Sequence, residues 1–145
     1  MNLIARKLPV AFLAVSLSVF LVACAALGLD RGVKVTLNGI QEVPAVDTSA
    51  SGNGKILVAA DKSVSGSITT SGVAVSAAHI HQGAAGTNGP VIIGLVKTGD
   101  NVWAVPAGAK FTDAQYTNYL AGNMYINVHS AAHKSGEIRG QINPK

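Results

Sequence analysis

From Val33 onward the chain alternates apolar and polar residues in short runs, the period that puts one side chain of every two on a buried sheet face. Val33, Val35 and Leu37 alternate with Lys34, Thr36 and Asn38, and Asn38-Gly39 breaks the run as a turn signal. Glu42 to Val46 reads as an extended loop, because Pro44 lacks a ladder donor and restricts Val43. The small polar stretch Ser49 to Gly54 reads as a turn before a strand through Ile56, Val58 and Ala60. Asp61-Lys62 turns the chain into a further strand, Val64 to Thr70, and Gly72 to Ala78 leads into a histidine-bearing one. Gly83 to Pro90 reads as a glycine-rich loop with positive-φ positions. Val91 to Val96 reads as a nearly continuous apolar strand, buried on both sides or at a sandwich core, and Asn101 to Val105 as a short strand that packs Trp103 inward. One helix is predicted, Thr112 to Ala121, with Thr112 as cap, Asp113 in the positive first turn and Gly122 as terminator. Met124 to His129 and Glu137 to Ile142 close the chain as two strands joined across Ser130 to Gly136. Short strands at frequent turns predict an all-β fold: an antiparallel Greek-key sandwich or barrel with one short surface helix.

The N-terminus follows a different pattern. Met1 to Lys7 carries Arg6 and Lys7 with no acid, then Leu8 to Val22 is apolar and ends in Leu21-Val22-Ala23-Cys24. A basic start, an apolar run and small residues at its end mark an export signal. The run, about 15 residues, is shorter than the roughly 20 that span a bilayer as a helix. Leu-Val-Ala-Cys resembles the lipobox of bacterial lipoproteins. That resemblance implies cleavage before Cys24 and lipidation of Cys24, which would use the chain's single cysteine. Ordinary cleavage after a small residue, with Ala23-x-Ala25 as the site, is the plainer alternative. The expected organisation is a signal peptide at 1–23, a lipidated cysteine and tether at 24–31, and one domain at 32–145. Ala25 after the cysteine favours an outer-membrane destination where the host has that membrane.

Charge then matters less than it first suggests. The chain has 11 Lys and Arg against 7 Asp and Glu, but Arg6 and Lys7 would leave with the signal while every acid stays. No basic run interleaves with aromatics, so no nucleic-acid partner is expected. The partner implied is the membrane itself, through the lipid anchor; no protein partner is indicated.

The candidate chemistry lies in the histidines. The chain has 4, as His79 and His81 in AHIHQG and His129 and His133 in NVHSAAH. Strand periodicity puts His79 and His81 on one face, opposite Ile80, and Tyr125, Asn127 and His129 on one face, opposite Met124, Ile126 and Val128. His79, His81, His129 and His133 are therefore candidate metal ligands, since imidazoles suit copper, zinc, nickel and iron. The alternative is a structural polar face, with the imidazoles bonded to backbone carbonyls and to Asn127, Glu137 or Gln141. Glu137, Arg139 and Gln141 share one face of the last strand, so Arg139, Glu137 and Asn127 could form an anion site or a polar network. The loop from Gly83 to Gly89 matches neither a P-loop nor a dinucleotide fingerprint. No nucleophile elbow accompanies Ser130, so no catalytic residue is assigned.

Three blocks resemble the CHRD domain: Leu37-Asn38-Gly39 with Glu42-Val43-Pro44, then AHIHQGAAGTNGPVIIGL (78–95), then YINVHSAAHKSGEIRGQI (125–142). Ala45 and Lys134 stand where that family often has proline. The resemblance implies a compact extracytoplasmic β domain. A fainter one, to copper/zinc superoxide dismutase, rests on the strand-borne His-x-His, the glycine-rich loop and the later Val-His. It implies His79, His81 and His129 as copper ligands and Arg139 as an anion guide. The zinc loop, the bridging histidine and the disulfide pair of that family are missing. The reading that results is a lipid-anchored binding or structural module of the cell envelope with a histidine metal site, copper before zinc. The alternative is a copper-dependent redox enzyme of dismutase type.

Overall fold

The computed structural model describes residues 32–144, so Cys24 and the expected signal and tether lie outside the described residues. Among the described residues nine strands form one antiparallel sheet: β1 (Val33–Asn38), β2 (Ser51–Val58), β3 (Val64–Ser71), β4 (Val75–Gln82), β5 (Val91–Gly94), β6 (Val96–Lys97), β7 (Val102–Ala104), β8 (Met124–Ser130) and β9 (Ile138–Ile142). Their spatial order is β5-β4-β8-β9-β1-β2-β3-β7-β6. The two outermost strands are consecutive in the chain, separated only by Leu95. One stretch therefore pairs with β4 at its start and with β7 at its end, which rolls the sheet into a nearly closed barrel. Leu95 secures the crossing through its N–H, which donates to the Ala78 carbonyl at 2.8 Å.

This closure corrects the expected Val91–Val96 strand. It breaks at Leu95 and is not buried on both sides: Val91 is 53% and Val96 47% exposed, because each lies on an edge strand. A second correction concerns Ser49 to Gly54, read from composition as a turn. Ser51 to Gly54 instead belongs to β2, fully paired with β1 and β3. The glycines there serve close packing: a Cβ on Gly54 would stand 2.2 Å from the Ser67 carbonyl oxygen.

The alternating apolar residues meet inside. Val35, Leu37, Ile56, Ile68, Ile80, Met124, Ile126, Val128, Ile138 and Ile142 are all essentially inaccessible and share one core. Removing each such side chain from water contributes roughly 1.5–3 kcal/mol. Trp103 packs inward as its strand pattern predicts. The helix α1 (Asp113–Leu120) starts at a reciprocal capping box: Gln115 N–H donates to Thr112 Oγ1 at 3.2 Å, and Thr112 N–H to Gln115 Oε1 at 2.8 Å. Lys62 pairs with Asp113 in the first turn, and Gly122 (φ 78°) follows the helix in the left-handed region.

Candidate metal centre

On β8 the outward side chains are buried as well as the inward ones, since Tyr125 and Asn127 are covered. The cover is two loops, one from the 3-10 turn Gly39–Gln41 to Ala50 and one from Gly83 to Pro90. The register beneath them sets the site. His79 is opposite Asn127, His81 opposite Tyr125 and Ala77 opposite His129 across β4 and β8; on the far side of β8, Asn127 is opposite Arg139 and Tyr125 opposite Gln141.

The strands bring three imidazoles together. One ligand nitrogen from each of His79, His81 and His129 lies within 4.8 Å of the other two. A carbonyl oxygen can only accept, so the ring hydrogens are fixed by what the rings touch. His81 Nδ1–H donates to the Gly89 carbonyl at 2.9 Å, and His129 Nδ1–H to the Lys134 carbonyl at 2.9 Å. When neutral, both rings therefore carry their lone pair on Nε2. His129 Nε2 lies 3.0 Å from His79 Nδ1, which is the donor in that contact. His81 Nε2 is buried with no hydrogen-bond partner at all. Burial, the His129 charge and the His81 charge hold the His79 imidazole below its usual pKa. Burial outweighs the Gly89 bond and lowers His81 too. The neutral imidazole is the form in which histidine ligates a metal.

The geometry fits one ion. Three nitrogens at about 2.0–2.1 Å from a tetrahedral metal stand roughly 3.4 Å apart. His79 Nδ1 and His129 Nε2 are 3.0 Å apart and share one proton, which would have to move to His79 Nε2 for a metal to take both nitrogens. One nitrogen of each of the three rings lies within 4.8 Å of the others.

The same strands settle how this barrel is classified. The family model for the CHRD domain matches residues 33–142, the first residue of β1 to the last of β9. The chain belongs to the CHRD family. No curated protein and no solved structure gives a significant match.

Within the CHRD barrel the other predicted residues have distinct positions. His133 is outside the three-imidazole group. Its main chain builds the turn that supports His129: its N–H donates to Ser130 Oγ at 3.2 Å, and its carbonyl accepts from Gly136 N–H at 3.1 Å. Arg139 is 1% exposed and turned into the glycine-rich loop. It donates to the carbonyls of Thr87 (2.9 Å) and Ala84 (3.0 Å) and to Gln141 Oε1 (3.1 Å). Its guanidinium lies 3.5 Å from the centre of the Tyr125 ring, whose other neighbour is the stacked His81 imidazole. Glu137 is buried and accepts from the Thr48 hydroxyl at 2.9 Å, tying the first covering loop down.

Glu42 was not singled out among the candidate site residues. It comes from the first covering loop, is 6% exposed, and accepts from Asn127 Nδ2 at 2.6 Å. Burial raises its pKa from 4.5 to about 7, against the lowering effects of Arg139 and the Val43 N–H. Gly136 admits this pair, since a Cβ there would stand 2.3 Å from Asn127 Nδ2 and 2.7 Å from the Glu42 carboxylate. The available signal was an acid in an otherwise apolar loop beside Val43-Pro44. The glycine loop also has a second role, because its Gly89, Ala84 and Thr87 carbonyls are the acceptors that orient His81 and Arg139.

Proposed function

We propose that this CHRD protein is an exported, lipid-anchored module of the cell envelope that holds a transition metal on His79, His81 and His129, copper before zinc. The observation that carries the metal reading is the buried, partnerless Nε2 of His81, with His81 and His129 each fixed from behind by a backbone carbonyl. A buried polar atom without a partner needs an explanation, and a cation held by the three imidazoles supplies one. Copper binds nitrogen sites more tightly than zinc does at equal availability. His79 and His129 are only partly buried, which leaves one side of the cluster open for loading. The lipobox at Leu21 to Cys24 supports export and anchoring, and Ala25 supports the outer membrane as destination.

Binding fits better than turnover of a small anion. A dismutase-type centre would use a cationic guide, and Arg139 directs its donors to the carbonyls of Ala84 and Thr87. The test is metal content of the full chain, expressed without a histidine tag and purified in detergent with copper and zinc in the medium. About one equivalent of metal per chain supports the reading. Metal at background level rejects it.

A further inference from the structure

Asn127 occupies a position on the outer face that neighbours all three histidines. It is opposite His79, diagonal to His81 (which is opposite Tyr125) and two residues before His129 on the same strand. Cross-strand partners have Cβ atoms about 4.5–5.5 Å apart, and diagonal ones are within reach of longer side chains. In its ionised form Glu42 only accepts, so the atom 2.6 Å from its Oε1 is the NH2 group and the other amide atom is the carbonyl oxygen. That oxygen, Oδ1, is buried and has no hydrogen-bond partner, in a residue only 3% exposed. Two acceptors in one face are thus without donors, His81 Nε2 and Asn127 Oδ1. Leaving a buried acceptor unsatisfied is costly, and one cation placed among these side chains would satisfy both.

We propose that the Asn127 amide oxygen is the fourth donor of the centre, and that Glu42 is the positioning residue that keeps this oxygen facing the histidines. The inference rests on the three-histidine metal reading. It makes the site a three-nitrogen, one-oxygen set whose oxygen is held by a carboxylate from the covering loop. Gly136 belongs to the same device, because a side chain there would collide with the Glu42–Asn127 pair.

The test is Co2+ titration of the full chain, free of any histidine tag, followed by visible absorption. Wild type, Asn127→Ala and Asn127→Asp are compared after folding is checked by circular dichroism. The wild type should bind one Co2+ with the intense bands of a four-coordinate ion. Asn127→Ala should bind roughly 10- to 100-fold more weakly with altered bands. Asn127→Asp restores an oxygen donor and should recover both affinity and band pattern. Asn127→Leu, similar in volume, replaces the alanine variant if that one fails to fold. A merely structural Asn127 predicts the reverse for aspartate, which cannot donate as the amide does and brings a second carboxylate against Glu42. Equal defects in the Ala and Asp variants would therefore overturn the proposal, as would unchanged spectra in Asn127→Ala. Failure of the wild type to bind would overturn the three-histidine reading as well, which keeps the two failures distinguishable.

Discussion

Asn127 Nδ2 donates to Glu42 Oε1 at 2.6 Å, a contact between residues 85 positions apart that locks the first covering loop onto the middle of β8. It places a carboxyl where burial dominates and raises its pKa to about 7.

The sign follows from linkage. Glu42 titrates at 4.5 unperturbed and at about 7 when folded, so its contribution to stability is fully present below 4.5 and lost as pH rises through about 7. His79 and His81, both held below their unperturbed 6.5, act oppositely: their contribution is present above 6.5 and lost as pH falls through their lower folded values. Glu42→Gln should remove the first limb only. Urea unfolding of metal-free protein at pH 5 and pH 8 should show the variant gaining relative to wild type at the higher pH. An equal difference at both pH values would contradict a buried, raised carboxyl.

Arg139 anchors the second covering loop. Substitution by methionine keeps much of the side-chain volume and removes every donor to Ala84, Thr87 and Gln141. Hydrogen bonds from a charged group are worth about 1.5–3 kcal/mol each, so Arg139→Met should lose at least about 2 kcal/mol in urea unfolding. Amide exchange should accelerate at Gly89, whose N–H donates to Tyr125 Oη at 3.1 Å. Unchanged protection there would show that the loop is held by other contacts.

Gly54 tests the strand assignment of β2. Gly54→Ala puts a methyl 2.2 Å from the Ser67 oxygen and 2.7 Å from the Ile68 Cα, both backbone atoms that cannot swing aside. A loss of roughly 1–3 kcal/mol is expected, the usual cost of overpacking. A turn at this point would accept alanine with little change.

The strand pattern carried most of the fold because it depends on side-chain alternation, and Leu37, Ile80, Ile126 and Ile138 follow that alternation into one core. Thr112, Asp113 and Gly122 marked the helix through local chemistry alone. Ser51 to Gly54 and Val91 to Val96 misled for the same reason: pairing with distant strands, not composition, fixed their conformation. The histidine face was readable because His79, His81 and His129 lie at strand spacing. That the two clusters meet, and that His133 does not join them, depends on the β4–β8 register. Glu42 left only a weak local signal, an acid beside Val43-Pro44, because its place in the site comes from a loop folding across the sheet.

Export and anchoring are checked independently of the barrel. Cells labelled with a palmitate analogue should incorporate it into the wild type and not into Cys24→Ser, which should stay uncleaved at 23/24. Normal labelling of the variant would refute the lipobox.

The central claim is that His79, His81 and His129 form one metal centre, and Cu2+ titration of the full, untagged chain by calorimetry tests it most directly. The comparison is the His79→Ala/His81→Ala/His129→Ala variant, with folding confirmed for both. Near-stoichiometric binding by the wild type that is lost in the variant is the predicted result. Equal binding by the two proteins, or none by the wild type, would contradict it and leave the imidazoles as a structural polar face.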